Sequence, residues 1–237
     1  MKTILHQEAS RGHADHGWLE SYHTFSFANY YNPERIHFGA LRVLNDDRIA
    51  GGEGFAMHPH DNMEIISIPL AGSLEHKDSM GHATVIGEGE IQVMSAGTGV
   101  FHSEYNKNAD KEARFLQIWV FPDEKNAPPR YSQISLSDIA KPDVLYQIVS
   151  PNSDDQGAWI RQQAWFHLGD LSQGWKGTYT LKKKGSGVYL FVLEGSLNAA
   201  GHRLERRDGL GVSETENIAI EANIPSRLLV MEVPMTL

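Results

Sequence analysis

The sequence predicts an all-β protein of the sandwich or barrel type, built from two similar halves. Short runs rich in β-branched and aromatic residues recur along the 237-residue chain, and Gly, Asn, Asp or Pro separates most of them. The clearest runs are 114–121, 188–193, 210–213, 218–220 and 228–233. Helical periodicity is scarce. A helical turn is predicted at 135–140, so helices are expected only as short connectors.

An internal repeat supports the two halves. The pentapeptide LAGSL at 70–74 recurs 123 residues later as LEGSL at 193–197, and self-similarity of this kind indicates a duplicated unit. A proline-rich segment lies between the halves, and such a segment cannot form a central strand. We therefore predict an N-terminal domain at 1–125, a linker at 126–142 and a C-terminal domain at 143–237.

The composition excludes several classes of protein. The net charge of −9 argues against direct nucleic-acid partners and against binding to anionic membranes. The absence of cysteine excludes disulfides, thiolate-bound clusters and Cys-type zinc sites. No apolar run approaches the length of a membrane span or a signal peptide. A cytoplasmic monomer is the expectation.

Histidine carries the functional signal, because ten of the 12 histidines lie at or before His102. Residues two apart on a strand point to the same face, so His58 pairs with His60, and His102 with Glu104. Two such strands in a small barrel would bring four metal ligands to one point. Imidazole with one carboxylate suits Fe, Mn, Ni, Cu or Zn. Glu64 lies an even number of residues from His58 and His60, so on a continuous strand it would face the same side, and it is the alternative carboxylate ligand.

Several motifs in the first half form a specific combination: HTFSFA at 23–28, FGALRVLND at 38–46, GFAMHPH at 54–60 and GVFHSE at 99–104. Through them the sequence resembles the pirin family of bicupins, and most closely the bacterial pirin-like proteins with quercetin 2,3-dioxygenase activity. The resemblance is dense over residues 10–125 and weak over 140–237.

This resemblance implies two tandem cupin barrels of the double-stranded β-helix, or jelly-roll, type. It implies one divalent metal in the first barrel, Fe(II) before Mn, Ni, Co, Cu or Zn. The ligands carried over are His58, His60, His102 and Glu104. The second half has too few histidines to repeat the site and should be a metal-free twin. The implied reaction opens the heterocyclic ring of a flavonol such as quercetin with O2 and releases carbon monoxide.

A flat aromatic substrate needs an apolar pocket beside the metal. The residues predicted to line it are His23, Phe25, Phe27, Phe55, Met57 and Trp119. Glu104 is the predicted catalytic residue, since it can accept the proton of the substrate's 3-hydroxyl group. The segment 11–32 is expected to pack across the first barrel.

Three other functions remain open from the sequence. The first is a non-catalytic, metal-binding regulator that binds a transcription factor or another protein partner, which an acidic surface would suit. The second is a different cupin enzyme, such as an isomerase of sugars or small acids. The third is a purely structural metal, although structural sites are usually closed to other ligands.

Overall fold

The chain forms strands almost throughout. A computed structural model describes residues 1–236. The strands are β1 (Lys2–His6), β2 (Gly12–Asp15), β3 (Leu19–His23), β4 (Leu41–Ile49), β5 (Gly54–His60), β6 (Glu64–Ala71), β7 (Ser73–Asp78), β8 (Ala83–Gly87), β9 (Glu90–Ser95), β10 (Val100–Asn106), β11 (Ala113–Val120), β12 (Arg130–Ser135), β13 (Tyr146–Ser150), β14 (Ala158–Trp159), β15 (Trp165–Leu171), β16 (Lys176–Thr180), β17 (Ser186–Glu194), β18 (Ser196–Ala199), β19 (His202–Glu205), β20 (Gly209–Ser213), β21 (Asn217–Ala222) and β22 (Ser226–Pro234).

Helical structure is minimal. Within residues 1–236 the only regular helical element is a three-residue 3-10 helix at Glu8–Ser10. The helical turn predicted at 135–140 is a hydrogen-bonded turn, in which the amides of Ile139 and Ala140 both donate to the Leu136 carbonyl at 3.1 and 2.8 Å. No helix in the described part of the chain is long and apolar enough to cross a membrane.

The strands build two barrels of the same topology. The first consists of a seven-stranded sheet, β12-β9-β6-β11-β4-β3-β2, and a four-stranded sheet, β5-β10-β7-β8. The second consists of the sheets β1-β20-β17-β22-β15-β13-β14 and β16-β21-β18-β19. Strands β4 to β11 therefore correspond in order to β15 to β22. This arrangement confirms the predicted fold of two tandem jelly-roll barrels.

Two edge strands of the large sheets lie in a predicted segment other than that of the barrel with which they pair. β1 pairs with β20 of the second barrel, from Lys2 opposite Ser213 to His6 opposite Gly209. β12 lies within the predicted linker 126–142 but pairs with β9 of the first barrel. Residues 2–6 thus belong to the second barrel's sheet, and the linker supplies an edge strand to the first. Being at an edge, β12 respects the limits that the neighbouring prolines impose.

The main core lies between the two seven-stranded sheets. Leu116 and Ile118 on β11 of the first barrel join the same buried cluster as Phe166 on β15 and Leu229 on β22 of the second. Alternation along a strand places one residue in this interface and the next inside a barrel. The inward positions of β11 and its neighbours are therefore available for function, while their outward positions hold the two halves together.

The interior of the second barrel is filled by apolar side chains, including Leu190, Ile218, Ile220 and Val230. The repeat aligns Leu197 with Leu74. Leu197 lies opposite Ala222, and Leu74 lies opposite Asn106, so Ala222 corresponds to Asn106. Two and four residues earlier on the same strands, Ile220 corresponds to Glu104 and Ile218 to His102. His167 and Glu232 are also buried in this barrel, but among the described residues no group of three possible metal ligands lies there. The metal-free twin stays a prediction.

The repeated pentapeptide has at its centre a turn that requires glycine. Gly72 and Gly195 adopt φ of 73° and 87°, and a side chain on Gly195 would collide with the Pro225 carbonyl. We expect Gly195→Ala to lower the free energy of unfolding by at least about 1–2 kcal/mol, the cost of a left-handed L-residue alone. The control is Gly201→Ala, since Gly201 has φ of 80° but no atom within 4 Å of the added carbon. Urea denaturation should show a smaller loss of unfolding free energy for Gly201→Ala than for Gly195→Ala. Equal losses for the two variants would show that the neighbouring atoms move aside at no cost.

Candidate metal centre

Three of the four predicted ligands meet at one point. β10 runs antiparallel to β5, and His102 lies directly opposite His58. The ring centroids are 4.4 Å apart for His58 and His102, 4.9 Å for His60 and His102, and 4.8 Å for His58 and His60. One nitrogen from each ring lies within 4.8 Å of the other two. A single cation could contact all three.

The state of these rings fits a divalent cation. Both nitrogens of the buried His102 lack a hydrogen-bond partner among the described residues. His58 Nδ1 lies 2.7 Å from the Ala56 carbonyl, so it donates there and leaves Nε2 with a free lone pair. Burial, aided by the neighbouring imidazoles, lowers the pKa of His102 to about 2 and that of His60 to about 4. Both are therefore neutral, which is the form that binds metal.

Glu104 lies beside this cluster, on the side of His76. A β-bulge separates His102 from Glu104 in the pairing with β5, whereas the pairing with β7 is regular and sets Glu104 opposite His76. A Glu104 oxygen lies within 4.8 Å of ring nitrogens of His76 and His102. Among the described residues it forms no such group with His58 or His60. Glu104 nevertheless lines the same cavity as those two histidines.

Neutral donors hold the Glu104 carboxyl. Ser67 Oγ donates to Oε1 at 3.1 Å, and Gln117 Nε2 donates to Oε2 at 2.8 Å. Burial raises the pKa of Glu104 to about 7, although both hydrogen bonds oppose the shift. A buried carboxylate without a cationic partner is more basic than an ordinary one. It is suited either to contact a metal or to accept a proton.

His76 was missed by the sequence reasoning. It is fully buried, and its Nε2 donates to Asp78 Oδ2 at 3.0 Å while Gln92 Nε2 donates to its Nδ1 at 3.3 Å. With both nitrogens engaged, His76 has no lone pair free for a metal and serves instead to pack against His102. The His76-Lys-Asp78 spacing was its available signal, since the two polar residues share a face of β7.

Glu64, the rival carboxylate, points elsewhere. It is buried at the start of β6 and accepts a hydrogen bond from Ser95 Oγ at 2.7 Å. It is not among the residues lining the cavity beside the imidazoles. This placement favours Glu104 over Glu64 as the carboxylate of the site.

A cavity of about 650 Å³ opens beside the imidazoles. Of the predicted pocket residues, His23, Phe27, Phe55 and Trp119 line it. Their contact with a substrate stays a prediction. The segment 11–32 packs across the first barrel as expected, because β2 and β3 extend its large sheet.

Two predicted pocket residues lie outside this cavity. Met57 is 56% exposed, because it alternates with His58 on β5 and so faces the outside of the barrel. Phe25 is buried in the core between the barrels, with its ring 5.5 Å from that of Tyr189. β3 ends at His23 and the chain turns there, so Phe25 does not face the same side as His23 although it is two residues further on.

The sequence reasoning also missed Asp47, an inward-facing residue of β4 that lines the cavity. Burial raises its pKa to about 7, against about 4 in an unfolded chain. Because the folded pKa is the higher one, the contribution of Asp47 to stability is fully present below about pH 4 and is lost as the pH rises to about 7.

Asp47→Asn removes this titration. In the metal-free protein, we expect its free energy of unfolding, relative to wild type, to increase between about pH 4 and 7 and then to level off. Urea denaturation across that pH range is the measurement, with the exposed Asp110→Asn as control. A difference that does not vary with pH would contradict the raised pKa.

Comparison with known proteins agrees with this architecture. Residues 5–120 match the family model described as Pirin, and residues 147–233 match the one described as Quercetinase C-terminal cupin domain. The chain is 38% identical over 230 residues to quercetin 2,3-dioxygenase of Escherichia coli K12, covering 97% of this chain and 98% of that protein. The chain belongs to the pirin family. The resemblance read from the first-half motifs is confirmed, and the second half is a cupin barrel as well.

Other pirins extend the match. A pirin-like protein of Caulobacter vibrioides is 39% identical, with 93% of this chain and 95% of that protein covered. The crystal structure of YhhW from Escherichia coli superposes with a TM-score of 0.94 at 37% identity, covering 98% of each chain. A structure of bacterial pirin YhhW in complex with nickel(II) gives a TM-score of 0.92 over 98% of this chain and 99% of that one. The pirin fold therefore spans both barrels of this chain.

Proposed function

We propose that this pirin is a metal-dependent dioxygenase that opens the heterocyclic ring of flavonols such as quercetin. The observation that carries the proposal is the group of three imidazoles, two of which, His58 and His60, line an aromatic-lined cavity of about 650 Å³. The names of its relatives support the same reaction class. The reaction takes up O2, places both oxygen atoms in the opened product and releases carbon monoxide, so it needs no external reductant.

His58, His60 and His102 would hold the metal, with Glu104 as the fourth ligand. Fe(II) is our first choice, and Mn, Ni, Co, Cu or Zn also suit this donor set, because metal availability decides among them as much as affinity does. A bound divalent metal supplies Lewis acidity, which lowers the pKa of a coordinated hydroxyl group.

The residues of the chain would do three things. Glu104 accepts the proton of the substrate's 3-hydroxyl group, and its burial makes it a stronger base than an exposed carboxylate. Ser67 and Gln117 keep its two oxygens in place. The rings of Phe27, Phe55 and Trp119 restrict a flat substrate to one orientation, and such positioning accounts for much of an enzyme's acceleration.

Metal analysis followed by an aerobic assay tests the proposal. Protein loaded in turn with Fe(II), Mn(II), Ni(II) or Co(II) is mixed with quercetin, and the long-wavelength absorbance and the released carbon monoxide are measured. We expect loss of absorbance with one carbon monoxide per flavonol. Absence of both with every metal would overturn the enzyme proposal. Bleaching without carbon monoxide would point to simple oxidation instead.

A further inference from the structure

The part of the cavity wall formed by the seven-stranded sheet carries four polar side chains on two neighbouring strands. His23 on β3 lies opposite Asn45 on β4, and Ser21 lies opposite Asp47. Paired residues share a face of the sheet, as do residues two apart on one strand. All four line the cavity. We call them the polar wall; the imidazoles of the metal centre come from the other sheet.

Hydrogen bonds within the protein leave the polar wall unsatisfied. Among residues 1–236, His23 Nδ1 and Asn45 Oδ1 are buried without a partner. Asp47 Oδ1 accepts a hydrogen bond from Ser21, but the described residues offer no donor to Oδ2. Asp47 is only 4% exposed, and no nearby cation in the described chain lowers its pKa.

Such groups oppose folding. A buried polar atom without a partner costs roughly 1–3 kcal/mol, and a lone buried carboxyl is expensive as well. Fold stability therefore gives no reason for Asp47 or Asn45 at these positions. Groups of this kind are typical of binding sites, where a ligand supplies the missing partners.

We propose that the polar wall binds ring hydroxyl groups of the substrate other than the reacting one, and that Asp47 determines specificity for hydroxylated rings. A phenolic hydroxyl donates to Asp47 Oδ2, and a neighbouring hydroxyl on the same ring donates to Asn45 Oδ1. Trp18 and Phe27, which also line the cavity, enclose the ring. The ligand class is a planar polyphenol. The inference rests on the proposed function, since the reacting ring must lie at the metal centre.

Binding without turnover tests the inference. Metal-loaded protein is titrated under anaerobic conditions with quercetin, which has further ring hydroxyls, and with 3-hydroxyflavone, which has none beyond the reacting one. Quenching of tryptophan fluorescence reports binding, because Trp18 and Trp119 line the cavity. The variants are Asp47→Leu, Asp47→Asn and, as an exposed control, Asp110→Asn.

At about pH 8, where Asp47 is ionised despite its raised pKa, we expect Asp47→Leu to weaken quercetin binding by about 10-fold, the effect of one hydrogen bond to a charged group, and to leave 3-hydroxyflavone unaffected. Asp47→Asn should lie between wild type and Asp47→Leu, and it keeps the side-chain volume should the leucine variant fail to fold. Equal weakening for both flavonols, or none, would overturn the role of Asp47. If wild type neither binds nor converts either flavonol, the proposed function fails, and this inference fails with it.

Discussion

His102→Ala is expected to abolish stable metal binding, lowering the affinity by more than the roughly 10–100-fold that follows from losing a residue that only supports a ligand. His102 packs against both other imidazoles, so its loss leaves His58 and His60 as the two remaining imidazoles of the centre. Because its ring nitrogens have no protein partner within the described chain, the variant loses no hydrogen bond and should fold. Metal content per chain after loading with Ni(II) or Fe(II) and dialysis is the measurement.

The matched control for this variant is His202→Ala. His202 is a partly exposed histidine of the second barrel, and its Nε2 lies 3.0 Å from Thr3 Oγ1. Its removal should leave metal content unchanged. If His102→Ala retained one metal per chain, the three-imidazole centre would be the wrong site. Loss of metal in both variants would indicate that binding in this assay is not specific.

The sequence could predict the grouping of His58 with His60 because the alternation of side chains along a strand is local. His58 and His60 are two apart, and an extended backbone puts their side chains on one face whatever surrounds them. The barrel fold follows from equally local signals, the short apolar runs and the glycine turns between them. The scarcity of histidine in the second half, which has only His167 and His202, led to the prediction of a metal-free second barrel.

Register and bulges could not be predicted, because they depend on contacts between distant segments. Nothing in the sequence sets His102 opposite His58 or inserts a bulge before Glu104. For the same reason His76 was missed, since its place opposite Glu104 depends on the pairing of β7 with β10. The pairing of β1 with β20 joins residues about 200 positions apart, beyond the reach of any local pattern.

For the pocket residues, polarity and spacing along the chain did not predict which side chains face the cavity. Asn45 and Asp47 are polar, so they suggest an exposed face of β4, yet both are buried in the cavity. Phe25 and Met57 are apolar and were expected to line the pocket, although one packs between the barrels and the other is exposed. The functional interior mixes aromatic and polar side chains, and composition cannot reveal which polar residues face inward.

Glu104→Gln is expected to lower the turnover of quercetin by about 10²–10⁴-fold, the usual loss when a general base is removed. Glutamine has nearly the same shape but cannot accept the proton of the 3-hydroxyl group. The imidazoles of His58, His60 and His102 group together without Glu104, so at saturating metal the variant should remain loaded. Metal content and steady-state turnover, measured on the same sample, separate loss of the base from loss of the metal.

Glu64→Gln is the matched control, because Glu64 is another buried carboxyl of the first barrel whose pKa burial raises. Its partner is Ser95 and it does not line the cavity, so turnover should stay near that of wild type. If Glu64→Gln instead lost turnover while Glu104→Gln kept it, the carboxylate of the site would be Glu64. If Glu104→Gln lost its metal even at saturation, Glu104 would act mainly as a ligand, and the proton would have to leave by another group.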